Sequence, residues 1–417
     1  MKDVRDFLRQ VASYNRTSSM KLVLPIPSLR LPRPPSFHIT NEVPTVRIPF
    51  LSLLVEPRSL NKWLFMWGFC LYLAFCWFCF FQYEQPRLSH ESNYRFGADS
   101  PTYWDAVEYR NDHADSGINL VSFGSNLLGP VTIGTVMRTG IGVGIFNIFL
   151  FFLAVEIACT IPGVDRYRLL FLLMICSETA PALVTLNKEI MVLFSALLLA
   201  KYIYSTKRSW LLLGVVLVFS VLTRWEQIAI IMLFFFLRRK GSIFMRNPPL
   251  AVAFVIGILT VSYSLLAMIP GSGIAGFVRY ASGGNTIAKL NFLQTHFGFP
   301  LVMIPKIILD ISGELLKPGT YFGKFETAGF GDIHSWFIVP VFSLVLIPLL
   351  VIGYRRGLLN PRRPIALLII IYLLVVAITP FVQPRYNYFV YVLLCLELAK
   401  KEDSTDQAEV SGKLLHA

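Results

Sequence analysis

The sequence predicts an all-α, polytopic transmembrane protein with about ten membrane-spanning helices and an outer-face region of loops and amphipathic helix. Three observations carry this. Of 417 residues, 55% are hydrophobic and only 15% charged, where soluble domains run near 25% charged, and the mean hydropathy is +0.59. Apolar runs of membrane length, or slightly less, recur with short polar breaks between them. Lys and Arg gather in alternate breaks, as they do in cytoplasmic loops.

Taken in order, residues 1–58 read as a basic, Pro-rich cytosolic tail. Ten Lys and Arg occur up to Lys62, among them Arg30, Arg33, Arg47 and Arg58. The prolines of 24–36 remove donors and bias preceding residues to extended backbone. A secretory signal would place a short apolar core in the first ~30 residues, and none stands there. Basic sequence beside a span is drawn to anionic lipid.

The transmembrane domain is expected over 59–399. Its first span is 63–82, followed by a polar outer loop, 83–129. The run 131–162 exceeds one span; Gly140, Gly142 and Gly144 suggest a short surface piece ending at Arg138 and a helix beyond it. Next come 169–185, hinged near Pro181, and 190–205. The stretches 210–223 and 227–237 are short. Fused into one helix, they would invert everything downstream. After the clean span 250–269, a second outer loop, 270–333, holds an amphipathic segment at 299–316, expected to lie in the membrane interface. Spans 336–353, 365–379 and 388–398 follow. A polar cytosolic tail at 400–417 is expected to be disordered.

Orientation follows from the short loops. With both termini cytosolic, inside loops carry Arg166 and Arg168; Lys201, Lys207 and Arg208; Arg238, Arg239, Lys240 and Arg246; Arg355, Arg356, Arg362 and Arg363; and Lys400 and Lys401. Outside turns carry one cation each: Lys188, Arg224 and Arg385. The formal net charge of +13 then reflects topology and not nucleic-acid binding. All six cysteines, Cys70, Cys76, Cys79, Cys159, Cys176 and Cys395, lie in apolar sequence, which argues against a disulfide framework or a structural zinc site. No Walker-type or dinucleotide-type glycine loop is present. His90, His113, His296 and His334 fall in outer segments without metal-ligand spacing and read as plain loop histidines.

The functional clue is one-sided charge. On the outer face Arg138, Lys188, Arg224 and Arg385 stand at helix ends beside apolar sequence, where an unpartnered charge is costly. Glu189 and Glu226 lie close by in sequence, and the first outer loop adds Asp99, Asp105, Glu108, Asp112 and Asp115. Arg and Lys at headgroup depth suit a phosphate, and a carboxylate among them suits a general base or a metal ligand. Each charge also has a plain reading: a pair with another helix, or a side chain reaching up to water. Asp105 and Glu108 read most simply as solvated loop residues. Ser100-Pro101 looks like a helix start with Pro at the first position. Asp99 and Tyr103, four apart, would then share a face, with Asp99 just ahead of a helix N-terminus.

Ala98-Asp99-Ser100-Pro101-Thr102-Tyr103-Trp104 after the first span, Leu186-Asn187-Lys188-Glu189, Thr223-Arg224-Trp225-Glu226 and Gln383-Pro384-Arg385-Tyr386 before the last span appear in that order. This arrangement resembles the GT-C superfamily of integral membrane glycosyltransferases, in particular bacterial members that build surface polysaccharides. The resemblance covers about residues 60–400, chiefly as topology. It implies a GT-C-like fold in the cytoplasmic (inner) membrane, a polyprenyl-phosphate or pyrophosphate sugar donor, and a lipid-linked or glycan acceptor. It implies Asp99 as the catalytic acidic residue, and Lys188, Arg224 and Arg385 as phosphate contacts. Tyr103, Arg138, Glu189, Glu226 and Tyr386 complete the candidate substrate-binding set. The first outer loop lacks an adjacent carboxylate pair, so a divalent cation, Mg2+ or Mn2+, is an open cofactor expectation. The chain has no large soluble C-terminal domain, which favours transfer to a lipid or glycan over transfer to protein. A polysaccharide repeat-unit polymerase and, in a different class, a transporter or flippase of lipid-linked sugars are the alternatives.

Overall fold

A computed structural model of the chain describes residues 62–88, 96–97, 99–112, 125–205, 209–268, 286–316, 333–379 and 383–401. The basic tail 1–58, His90, His113, Asp115, half of the loop 270–333 (270–285 and 317–332) and nearly all of the C-terminal tail lie outside them. The described residues are helical, with no strand beyond an isolated bridge between Val164 and Lys400. Among the described residues three helices are long and apolar enough to cross a membrane, over Phe65–Glu84, Gly140–Cys159 and Pro248–Leu265. Their outward faces are large and apolar: Trp67, Leu71, Phe75 and Phe78 on the first, Ile145 and Phe149 on the second. Such contiguous apolar exposure suits lipid and not water.

Helix α1 (Lys62–Cys79) continues through a π-helical turn (Phe80–Glu84) to Leu88. Helix α2 (Ser100–Asp112) leads to α3 (Ser125–Met137) and α4 (Gly140–Cys159). The break between α3 and α4 falls where the glycines suggested. Arg138 adopts a left-handed φ of 59°, and Thr139 Oγ1 caps α4 by accepting from Gly142 N at 3.0 Å. The run expected at 169–185 is two helices, α5 (Arg166–Met174) and α6 (Thr179–Val184). The break precedes Pro181, which sits in the first turn of α6, where a missing N–H costs nothing.

Helices α7 (Glu189–Tyr204) and α16 (Tyr388–Ala399) form the centre. Every residue of α16 is buried, as expected of a helix that is apolar all round. Helices α8 (Trp210–Thr223) and α9 (Glu226–Leu237) are separate, parted at Arg224, whose φ of −155° is extended. After a short helix α10 (Ile243–Arg246), α11 (Pro248–Met268) follows. Helices α12 (Thr286–Phe297) and α13 (Phe299–Ser312) make a hairpin, and α14 (Val339–Arg355) and α15 (Pro364–Ile378) complete the bundle.

The basic turns meet at one end. Asp165 N donates to Ala399 O at 3.0 Å, Lys201 Nζ to Thr160 O at 3.0 Å, and Arg238 Nη1 to Arg362 O at 3.2 Å. Tyr204 hydrogen-bonds Glu397 and lies under Lys400. This convergence is what short loops on one side of a bundle would produce.

Segment 299–316 differs from the expected interfacial helix. Its polar residues Lys306 and Asp310 are buried, while Leu301 and Ile304 are more than 60% exposed. An interfacial helix presents its charges to water; α13 turns them inward and its apolar face outward. The hairpin turn, Gly298 with φ 91°, packs near Thr260 half-way along α11. The other end of α13 locks against Pro384. Gly313 has φ 53°, and a Cβ there would stand 2.4 Å from Pro384 Cγ, so this position requires glycine.

One buried amide holds the approach to the site. Asn147 of α4, 1% exposed, donates to Ala182 O at 3.1 Å and Thr185 O at 2.8 Å. Asn147→Leu leaves the Thr185 carbonyl bare, and the expected cost is about 1–3 kcal/mol. A lowered thermal unfolding midpoint in detergent checks this; an unchanged midpoint would show that the two bonds carry no stability.

Candidate functional site

At the opposite end from the basic turns, four chain segments bring their charges together. Asp99 is carried by the start of α2: Tyr103 N bonds its carbonyl at 3.0 Å, so Asp99 stands at the helix N-terminus. The expected i, i+4 relation holds, with Tyr103 Oη donating to Asp99 Oδ2 at 3.2 Å. Ser100 differs from a side-chain cap, because its hydroxyl donates to Glu84. Helix α2 is seated by Tyr103 and Val107 packing with Val131, Val143 and Leu186. Gly97 runs close over the end of α6, where a Cβ would lie 2.6 Å from Thr185 Oγ1. That approach lays Asp99 beside the 185–189 segment.

Arg385 lies on the 3-10 turn Pro384–Asn387 that opens α16. Its Nη2 donates to Asp99 Oδ1 at 3.0 Å, and its Nε to Gln383 Oε1 at 2.9 Å. Its Nη1 is buried without a hydrogen-bond partner among the described residues. Arg224 terminates α8 and is 8% exposed. Its Nη1 reaches Tyr372 Oη at 3.3 Å and Tyr386 O at 3.4 Å. Its Nη2 lies 3.6 Å from Glu189 Oε1, and the guanidinium stacks 4.7 Å from the Tyr386 ring centroid. Planar guanidinium and ring suit this cation–π contact. Lys188, ahead of α7 and buried, feels Arg224, Glu189, Asp99 and Arg385.

Electrostatics follow from this crowding. Burial alone would raise the Asp99 carboxyl, but Arg385, Lys188 and the bond from Tyr103 outweigh it and hold it below the usual value. Burial, reinforced by repulsion from Arg224, pushes the Lys188 ammonium down to about 8. Asp99 is thus an ionised, doubly engaged carboxylate, and a poor proton acceptor.

Of the sequence-predicted residues, Asp99, Tyr103, Lys188, Glu189, Arg224, Arg385 and Tyr386 come together. Arg138 does not. It lines a separate cavity of about 1010 Å³ with Glu84, Trp104, Asp105, Glu108 and Thr135. Glu226, at the start of α9, makes no ion pair among the described residues. Asp105 and Glu108 are exposed. No group of three His, Cys, Asp or Glu among the described residues is placed to hold a metal ion, and both Asp99 oxygens already have protein donors.

Tyr372, Glu178 and the buried pair Lys306 and Asp310 were not foreseen in the sequence, and His334 differs from the loop residue expected there. Glu178 and His334 face each other, Oε1 to Nε2 at 3.4 Å, with side chains 1% and 8% exposed. Lys306 Nζ donates to Gln294 Oε1 at 2.6 Å and Thr379 O at 2.7 Å. A lone carboxylate inside an apolar run, as at Glu178, was the available signal. No family model, curated protein or solved structure matches the chain.

Proposed function

We propose that the chain is a multi-pass integral membrane glycosyltransferase of GT-C type. It moves a sugar from a polyprenyl-phosphate or pyrophosphate donor to a lipid-linked or glycan acceptor, on the outer face of the cytoplasmic membrane. The observation that carries this reading is the convergence of Lys188, Arg224 and Arg385, from three separate chain breaks, around Asp99 at the bundle end away from the basic turns. Arg385 Nη1 is buried without a hydrogen-bond partner among the described residues, and the buried Lys188 side chain stands in the same cluster. A buried donor without an acceptor is expensive, and a phosphate supplies several charge-assisted acceptors at once. Donors fixed in advance stabilise charge as it develops on the leaving phosphate.

Lys188 gives this reading a pH signature. A cation whose pKa is about 8 is charged below that value and neutral above it. Bound phosphate favours the charged form, so affinity is present at pH 7 and declines as pH rises through about 8–9. The expected result is a severalfold loss of decaprenyl-phosphate affinity between about pH 7 and 9.5 in nanodiscs, absent in Lys188→Met. Binding that is flat with pH in the wild type, or equally steep in Lys188→Met, would remove Lys188 from the phosphate site.

A repeat-unit polymerase uses the same charges with two lipid-linked glycans. A transporter is the reading of another class, and the buried Lys306 and Asp310 of the α12–α13 hairpin favour it, because ionisable groups buried in a membrane bundle often mark a transport path. Mass spectrometry of lipid-linked and surface glycans from cells with and without the protein separates the three. A transferase leaves a glycan one sugar short, a polymerase leaves single repeat units, and a transporter leaves complete units on the cytosolic side.

A further inference from the structure

We propose that His334, oriented by Glu178, is the general base that takes the proton from the acceptor hydroxyl; this rests on the transferase reading above. The two side chains form a carboxylate–imidazole dyad across a long stretch of chain, from position 178 to position 334. Both are buried, and beyond their 3.4 Å approach neither Glu178 Oε1 nor His334 Nε2 has a hydrogen-bond partner among the described residues. Each sits where its helix is irregular: Glu178 in the break between α5 and α6, His334 at the first residue of a π-helical turn, His334–Ile338. π-Turns are frequent at functional sites. Ser177 Oγ donates to Ile338 O at 2.6 Å and ties the two irregular segments together.

The dyad lies beside the segment that carries Arg385: Thr179 Oγ1, next to Glu178, is 2.9 Å from Tyr388 Oη, three residues after Arg385. The titratable groups that feel Glu178 are Arg385, Cys176 on its own segment and Tyr388 on α16. A carboxylate on one imidazole nitrogen fixes the ring and stabilises the cation formed on proton uptake. Nε2 is turned to Glu178, which leaves Nδ1 for the substrate. Asp99 is unsuited to proton abstraction, since Arg385 and Tyr103 occupy both its oxygens. Its role is to position Arg385.

The step balances without a further reagent. The acceptor oxygen forms a bond to the anomeric carbon of the donor sugar while its proton passes to His334 Nδ1. The bond from that carbon to the phosphate oxygen breaks, and the electron pair leaves with the phosphate, which Lys188, Arg224 and Arg385 hold. The imidazolium then releases its proton to water.

The test uses the full-length protein in nanodiscs and in cells. His334→Gln is expected to bind decaprenyl phosphate within about twofold of wild type, which also reports correct folding, and to lose glycan product by at least about 100-fold. Glu178→Gln, which keeps the size and loses the charge, is expected to lower product formation by at least about tenfold at unchanged decaprenyl-phosphate affinity; a merely structural glutamate would lower both or neither. Glycan product at the wild-type level in folded His334→Gln, with Arg385→Met inactive, overturns the base and leaves the transferase reading standing. An unaltered glycan profile in cells lacking the whole protein overturns both. If His334→Gln fails to fold, wild-type product formation by folded Glu178→Gln overturns the dyad.

Discussion

Arg385→Met is expected to lose lipid-phosphate binding and glycan product together, by about 100- to 1000-fold in product, and to lower stability as well. The guanidinium is the only described partner of Asp99 Oδ1, at 3.0 Å. Removing one member of a buried pair costs about 3–5 kcal/mol because the other charge is stranded. The Asp99 side chain keeps 27% of its surface, so about 2–3 kcal/mol is the better expectation here. Asp99→Asn added to Arg385→Met removes the stranded charge and should recover most of that stability, yet none of the binding. A thermal-unfolding double-mutant cycle, with decaprenyl-phosphate affinity measured on each variant, separates the two roles. Wild-type affinity in Arg385→Met would take the guanidinium out of the phosphate site. A double variant less stable than Arg385→Met would show that Asp99 is not the charge left uncompensated.

Lys306→Met is expected to produce a large loss of stability without touching the Asp99 cluster directly. Lys306 is fully buried. Its ammonium joins α12 through Gln294 to the end of α15 through Thr379 O. Asp310, one turn further along α13, is 2% exposed, and neither of its carboxylate oxygens has a hydrogen-bond partner among the described residues. The two side chains form no ion pair, so the lysine stabilises the bundle through its own two hydrogen bonds. Methionine fits the space but leaves the Gln294 amide oxygen and the Thr379 carbonyl without their donor, at about 1–3 kcal/mol each. Equal unfolding midpoints for wild type and Lys306→Met would show that these two bonds carry no stability. Because Asn387 Nδ2 bonds Asp310 O at 2.9 Å, loosening α13 also reaches the turn that carries Arg385.

The helical class was readable in the sequence because hydropathy and capping are local. Thr139, Asp165 and Ser209 each cap the helix that follows them, and their positions beside apolar runs announce it. The Asp99–Tyr103 contact was readable for the same reason, being one helical turn. The division at Arg224 was legible as an ambiguity, two short helices or one long one. Packing resolved it, since α8 lies on α7 while the basic end of α9 meets Arg362 at the start of α15.

The order of residues is enough to specify a greasy helical chain whose charges are largely confined to helix ends, because a charge inside an apolar run is tolerated only where something answers it. Which charges answer one another is a property of the packed bundle. Asp99 and Arg385 are 286 positions apart, and the joining of Glu178 with His334, or of Lys306 with Thr379, depends on which helices are neighbours. Packing also divided the candidates, bringing Lys188, Glu189 and Arg224 to Asp99 while leaving Arg138 beside another cavity and Glu226 apart. Hydropathy is summed along a few turns of one helix; ion pairing depends on distances between helices, and those are set by how the whole bundle packs.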